Sequence, residues 1–474
     1  MLFPTIDFAI FFALVFVAHW LLNPGSKQWK LFMIAASYVF YGWWDWRFVF
    51  LLAGVTVASQ AGAELIHHTR HEPRRRMLLA ITLTVILGVL GWFKYYGFLA
   101  LNVSNALHVF GAHSPLPLLQ VALPIGISFF TFMAISYVVD VYRGRLEPAG
   151  WLDFAVHLSF FPHLVAGPIV RGGELLPQIR APRDPRRIDY SRAAYLIFGG
   201  LFKKVVISSF IATAIVDPVF GTPGQHTALE ILFAIYGYAI QIYADFSGYT
   251  DIAIGVALLL GFEFPQNFDA PYTARSLQDF WRRWHMTLSR WLRDYLYIPL
   301  GGSRGSEWQT YRNVMITMLL GGLWHGAAWT FVAWGGIHGG GLAVGRWRRQ
   351  RRVAAGLPAQ ADRPGDRVLQ RVATFHLVCL GWVFFRADSL GTAFEMLGRL
   401  VSAFGPAPAV TPLVVFVIAL MVAVQHLPKE LPARVQDGFS QLRPAAQGVA
   451  LAATLFAITS LGPQGVAPFI YFRF

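Results

Sequence analysis

Several ionisable side chains of this 474-residue chain stand inside long apolar runs. Such a group costs at least about 2.5 kcal/mol on membrane-insertion scales, and it faces a cavity or a partner. His325 lies in Gly321-Gly322-Leu323-Trp324-His325-Gly326, where small residues let backbones approach closely. An imidazole there is either a proton carrier or a hydrogen-bonded link between helices. Trp324 beside it can exclude water or stack on a ligand. His338, in Trp334-Gly335-Gly336-Ile337-His338-Gly339, has the place of a supporting group.

Around His285 the pattern changes. Phe280, Trp281, Trp284, Leu288, Trp291, Leu292 and Tyr295 recur at helical spacing, and Arg282, Arg283, Arg290 and Arg293 fall mainly off that stripe. The spacing predicts an interfacial helix over 276–296 with its aromatics at headgroup level. An anchor helix has no use for a histidine on its apolar side. Asp245 and Asp251 sit in a further apolar stretch, six residues apart and so not on one helical face. Asp245 either orients a histidine or caps the helix that follows. For Asp251 the sequence favours a cap, with Gly248 allowing a break. In Pro299-Leu300-Gly301-Gly302-Ser303-Arg304, glycine amides and an arginine either cradle a phosphate or form a plain turn.

The elements that hold these residues are membrane helices. Hydrophobic residues make up 55% of the chain and charged residues 14%, against roughly 25% charged in a soluble domain. The expected fold class is all-α and polytopic, with about 11 crossings plus re-entrant and interfacial helices around a central tunnel. The run 152–169 is expected not to cross, because Pro162, His163, Gly167 and Pro168 interrupt it. The stretch from Met1 to Leu22 reads as a retained first span. One membrane domain is expected over 1–474, with a core at 120–345, a mobile basic linker at 346–371, and C-terminal helices with an aromatic tail at 372–474.

The formal net charge of +14 is gathered in short loops, at 70–76, 180–192 and 346–371. That distribution fits positive-inside topology and anionic lipid, not nucleic acid. Cys379 is the single cysteine, so disulfides and cysteine metal sites are excluded. The chain has no HExxH and no Gly-x-Ser-x-Gly, and no metal is expected. The lack of an internal repeat argues against a transporter. An export scaffold is the other non-enzyme reading.

ADFSGYTDIAIG, GFEFPQNFDAPYTARSLQDFWRRWHMTLSRWLRDYLYIPLGG and LLGGLWHGAAWTFVAWGGIHG together resemble the membrane-bound O-acyltransferase superfamily. The resemblance is closest to the alginate O-acetyltransferase branch. PIGISFFTFMAISYVVDVYRG and SFFPHLVAGPIVR fit the same family upstream. The resemblance implies a ring of tilted helices around a tunnel. It also implies two functional histidines, which map to His325 as the catalytic residue and to His285. The C-terminal Phe469-Ile470-Tyr471-Phe472-Arg473-Phe474 resembles a motif of envelope acylation systems whose tyrosine carries the acyl group as an ester.

On this resemblance, His325 takes a proton from a hydroxyl that attacks an acetyl thioester. His285 orients the reactants or stabilises the oxyanion. The donor is acetyl-CoA, with no permanently bound cofactor, and Arg282, Arg283 and Arg304 hold its phosphates. The hydroxyl is that of Tyr471. The expected partners are an extracytoplasmic acetyltransferase protein, an exported polysaccharide and membrane lipid, at a bacterial inner membrane. Alternatives are a D-alanyl group from a carrier protein, or peptidoglycan or cellulose as the acceptor.

Overall fold

The computed structural model describes residues 1–112, 116–119, 121–428, 430–462 and 470. The described residues are helical or irregular, with no strand among them. Among the described residues, six helices are long and apolar enough to cross a membrane: Arg47–His68, Glu72–Val109, Tyr190–Gly221, Ala228–Leu259, Pro364–Arg386 and Pro444–Leu461. Shorter apolar helices run over Ile6–Leu21, Ile127–Tyr142 and Pro412–Val424. The chain is a polytopic membrane protein. The chain divides into two compact units, Met1–Ala193 with Ala253–Pro265, and Ala194–Ile252 with Gln266–Phe474.

In the first unit a buried polar knot ties a loop to two helices. The Tyr137 hydroxyl donates to Gln60 Oε1 at 2.8 Å and accepts from the Ala149 amide at 2.8 Å, while Gln60 Nε2 donates to the Ala149 carbonyl. These contacts satisfy backbone groups that would be costly to bury alone. The run expected not to cross is broken as its Pro and Gly residues predict, into Trp151–Ser159 and the single turn Phe161–Leu164.

The second unit departs from the sequence reading in three places. Ala228–Leu259 is one uninterrupted helix of 32 residues, so neither Asp245 nor Asp251 caps a helix start and Gly248 breaks nothing. Gly248 instead meets a neighbouring helix. A Cβ on it would lie 2.7 Å from the Gly200 carbonyl oxygen, and one on Gly200 would lie 2.6 Å from the Gly248 oxygen. This close approach sets Lys203 against Asp251 and Lys204 against Asp245 as ion pairs. The basic linker is also mostly ordered helix. Trp329–Ala354 carries Arg346 to Arg352, and Pro364–Arg386 begins soon after.

The third departure is at 276–296, where one amphipathic helix was expected. The segment is split into Leu277–Trp281 and Met286–Leu292, followed by a π-helical turn at Arg293–Tyr297. The break falls at His285, whose φ is 43° and ψ 55°. Periodicity cannot reveal a left-handed residue, because the aromatic stripe persists on either side of it.

Candidate active site

His285 and Ala270 are the two non-glycine residues with positive φ among the described residues. Left-handed backbone costs a side-chain-bearing residue about 1–2 kcal/mol, and surrounding contacts must hold it. The irregular segment 266–269 does so. Met286 N–H donates to the Asn267 carbonyl at 2.9 Å, and Asp269 N–H donates to the Arg283 carbonyl at 2.9 Å. Asn267 Oδ1 accepts from Thr287 N–H at 3.2 Å and from the Thr287 hydroxyl at 3.0 Å.

The same Oδ1 lies 3.2 Å from His285 Nδ1. Because that oxygen is already an acceptor, Nδ1 must donate. A neutral His285 ring therefore carries its lone pair on Nε2. Asn267 was missed in the sequence. It stands 18 residues away, and nothing in its local context distinguishes it from a turn asparagine.

His325 is the last residue of Glu307–His325 and is buried. Among the described residues, three aromatic rings pack on it: Trp324 at 5.0 Å, Trp334 at 5.0 Å and Phe385 at 5.1 Å between centroids, all steeply inclined to the imidazole. His285 joins the same cluster, 6.0 Å from Trp324 and edge-on to Phe246 at 4.7 Å. His338 lies 4.7 Å from Trp334 and 5.4 Å from Trp281. Both its ring nitrogens lack a hydrogen-bond partner among the described residues. The structure thus brings His285, Trp324, His325 and His338 into one aromatic belt. Asp245 does not orient a histidine; its carboxylate goes to Lys204 and Ser208. Tyr471 lies outside the described residues.

Glycine packing sets the position of His325. A Cβ on Gly322 would collide with the Phe331 carbonyl oxygen, and one on Gly335 would come within 2.5 Å of the Met318 oxygen. Glu307–His325 and Trp329–Ala354 are therefore in backbone contact, and only glycine fits at these two points.

A pocket of about 500 Å³ opens beside this belt. Trp281, Met286, Thr317, Met318 and Leu342 form its apolar wall, and Arg282, Arg290, Arg293, Arg346 and Arg349 supply charge. Trp281 lines the pocket and touches Trp334 at 5.7 Å, which in turn touches His325. One tryptophan layer thus links the cationic cavity to the buried imidazole.

The arginines are not equivalent. Arg346 donates through Nε and Nη2 to Glu307 at 2.9 and 3.0 Å, which holds the Glu307 carboxyl down to about 2. Arg293 is committed to Asp294 at 2.7 Å. Arg282 and Arg349 have no side-chain partner among the described residues, so their charge is available to an anion.

Of the three arginines expected to hold phosphates, Arg282 lines this pocket and Arg283 and Arg304 do not. Arg283 is tied to Asp279 at 2.8 Å and faces Asp269 at 3.7 Å. Arg304 is exposed, and the pocket wall includes Ser303 but not Arg304. The nearby glycine amides are spent on a turn, Gly301 N–H to the Ile298 carbonyl at 3.0 Å and Gly302 N–H to the Tyr297 carbonyl at 2.9 Å. No group of three or more histidine, cysteine or acidic residues among the described residues is placed to hold a metal ion.

A helical membrane chain with buried histidines next to a cationic pocket has the parts of a group-transfer enzyme. Residues 78–355 match the membrane-bound O-acyltransferase family, and the chain belongs to it; it is a membrane acyltransferase. A probable alginate O-acetylase of Pseudomonas aeruginosa is 41% identical over 85% of this chain and 75% of its own length. The Pseudomonas putida protein of the same description is 37% identical over 100% of both. A peptidoglycan O-acetyltransferase of Helicobacter pylori is 36% identical over 85% of this chain and 80% of its own.

Proposed function

We propose that this enzyme takes acetyl from cytoplasmic acetyl-CoA and delivers it across a bacterial inner membrane for O-acetylation of an exported, alginate-like polysaccharide. The observation that carries the donor assignment is the arginine-lined pocket one tryptophan layer from His325. Its apolar wall suits a pantetheine arm, and the available charge on Arg282 and Arg349 suits phosphates. The relatives' descriptions support a polysaccharide acceptor. About 11 crossings around a tunnel belong to the same reading.

In the transfer step, neutral His325 takes the proton of an incoming hydroxyl. The hydroxyl oxygen bonds to the thioester carbonyl carbon, the C–S bond breaks, and the leaving thiolate recovers the proton from the imidazolium. His285, fixed by Asn267, orients the reactants through Nε2. The hydroxyl is that of Tyr471, and the resulting acyl ester passes to an extracytoplasmic acetyltransferase partner. This accounts for transfer between a cytoplasmic donor and an exported polymer.

Purified protein given labelled acetyl-CoA should acquire label on Tyr471, read by mass spectrometry of the C-terminal peptide. Polymer acetylation at the full rate in a Tyr471→Phe variant would remove the tyrosine ester from the route. Absence of any acetyl-CoA turnover would overturn the donor assignment.

A further inference from the structure

One buried charge pair lies outside the acyl-transfer chemistry. The Lys204 and Asp245 side chains are 2% and 4% exposed and are ion-paired. Desolvating such a pair costs several kcal/mol per ion, so it counts as weak evidence for stability and better evidence for a positional role. Asp245 Oδ1 also accepts from the Ser208 hydroxyl at 3.3 Å. Its other oxygen, Oδ2, accepts the backbone N–H of Ile470 at 2.8 Å. That donor lies 225 residues away, and Ile470 is itself buried.

A second contact brings the same end of the chain to the same element. Gly462 directly follows the helix Pro444–Leu461, and a Cβ on it would lie 2.8 Å from Val205 Cγ1. Lys204, Val205 and Ser208 all belong to the π-helical stretch Phe202–Ser208. This stretch therefore supplies both the wall against Gly462 and the two groups that hold the Asp245 carboxylate.

A backbone N–H carries no side-chain information; what it fixes is register along the chain. A carboxylate in a low-dielectric site makes a strong charge-assisted bond to such a donor. We propose that Asp245 is a positioning residue that latches the C-terminal segment through the Ile470 amide, with Lys204 and Ser208 holding the carboxylate in place. The inference rests on Tyr471 as the acyl acceptor: the latch sets the register of the residue that follows Ile470 in sequence.

Cysteine labelling tests the latch without reference to chemistry. Ile470→Cys keeps the amide donor, and Cys379→Ala removes the native thiol. Full-length protein in membrane vesicles is treated with a small membrane-permeant maleimide. Asp245→Ala should speed labelling at position 470 at least about 10-fold, the loss expected for a hydrogen bond to a charged group. The double variant Lys204→Met with Asp245→Leu removes both charges at similar volume, which leaves no buried ion alone. It should show the same acceleration while eluting as a single species.

Transfer of labelled acetyl to polymer is measured in parallel. Faster labelling with a fall in acetylation supports both the latch and the tyrosine ester. Faster labelling with acetylation unchanged supports the latch and removes the tail from the transfer route. An unchanged labelling rate in the folded double variant overturns the latch, whatever the acetylation shows.

Discussion

Each of the two units buries histidines, and the pair His157 and His163 differs from the pair His285 and His325 in what surrounds it. In the first unit, His163 donates through Nε2 to the His157 carbonyl at 2.9 Å and stacks on Phe264 at 5.3 Å. Both ring nitrogens of His157 lack a hydrogen-bond partner among the described residues. In the second unit, His285 is held at a left-handed break by Asn267, and His325 packs on Trp334, which touches Trp281 in the wall of a cationic cavity. Burial is common to both pairs and so does not mark a site. Backbone strain held in place by neighbours, and a charged cavity next door, distinguish the second.

The largest effect expected from this contrast is at His325. His325→Ala should lower acetyl transfer at least about 100-fold, the usual contribution of a general base, with the protein still eluting as a folded species. His157→Phe should keep transfer within about 3-fold and leave thermal stability unchanged or slightly raised, since the imidazole it removes satisfies no hydrogen bond. A large loss of transfer in His157→Phe would erase the distinction between the two pairs.

Next in size is Asn267. Asn267→Ala should cut kcat about 10-fold by freeing the His285 ring, and Asn267→Asp should restore much of it because its carboxylate still accepts from Nδ1–H and Thr287. A loss of folded protein in both variants would assign Asn267 to structure instead. Arg282→Ala and Arg349→Ala should each raise the KM for acetyl-CoA about 10-fold with little change in kcat, the mark of lost uniform binding. Arg304→Ala should leave KM within about 2-fold, and an equal rise there would place the donor outside the pocket.

The smallest effect concerns pH. With its pKa lowered from 4.5 to about 2 by Arg346, Glu307 stays ionised down through the ordinary carboxylate range. The Glu307–Arg346 pair contributes fully above that range, and its contribution falls progressively from pH 4.5 and is gone below about 2. The KM for the donor in wild-type protein should therefore show no inflection between pH 5 and pH 4 that Glu307→Gln abolishes.

Much of this site could be read from residue types alone. His325 and Trp324 announced themselves as polar and aromatic residues in a glycine-rich apolar run. The break at 152–169 followed from Pro162 and Gly167. Lys203 and Lys204 were missed although the signal was present, since two adjacent lysines inside an apolar run demand acidic partners as surely as Asp245 and Asp251 do. Other features had no local signature. The left-handed φ of His285 is imposed by Asn267 from a distance, and a helical stripe looks the same whether or not one residue interrupts it. Which arginines carry available charge depends on where Asp279, Asp294 and Glu307 fall in space.

The glycine contacts at Gly322 and Gly335 bear on how the enzyme responds to its bilayer. A helix held only by lipid adjusts its depth when the hydrocarbon becomes thinner or thicker. Here two helices are in backbone contact, and one turn of slippage would move His325 by about 5.4 Å relative to the Trp329–Ala354 helix. The depth of His325 is set by that contact and not by the acyl-chain length of the surrounding lipid. Reconstituted into bilayers of graded thickness, the enzyme should change its tilt before it changes the distance between His325 and Trp334.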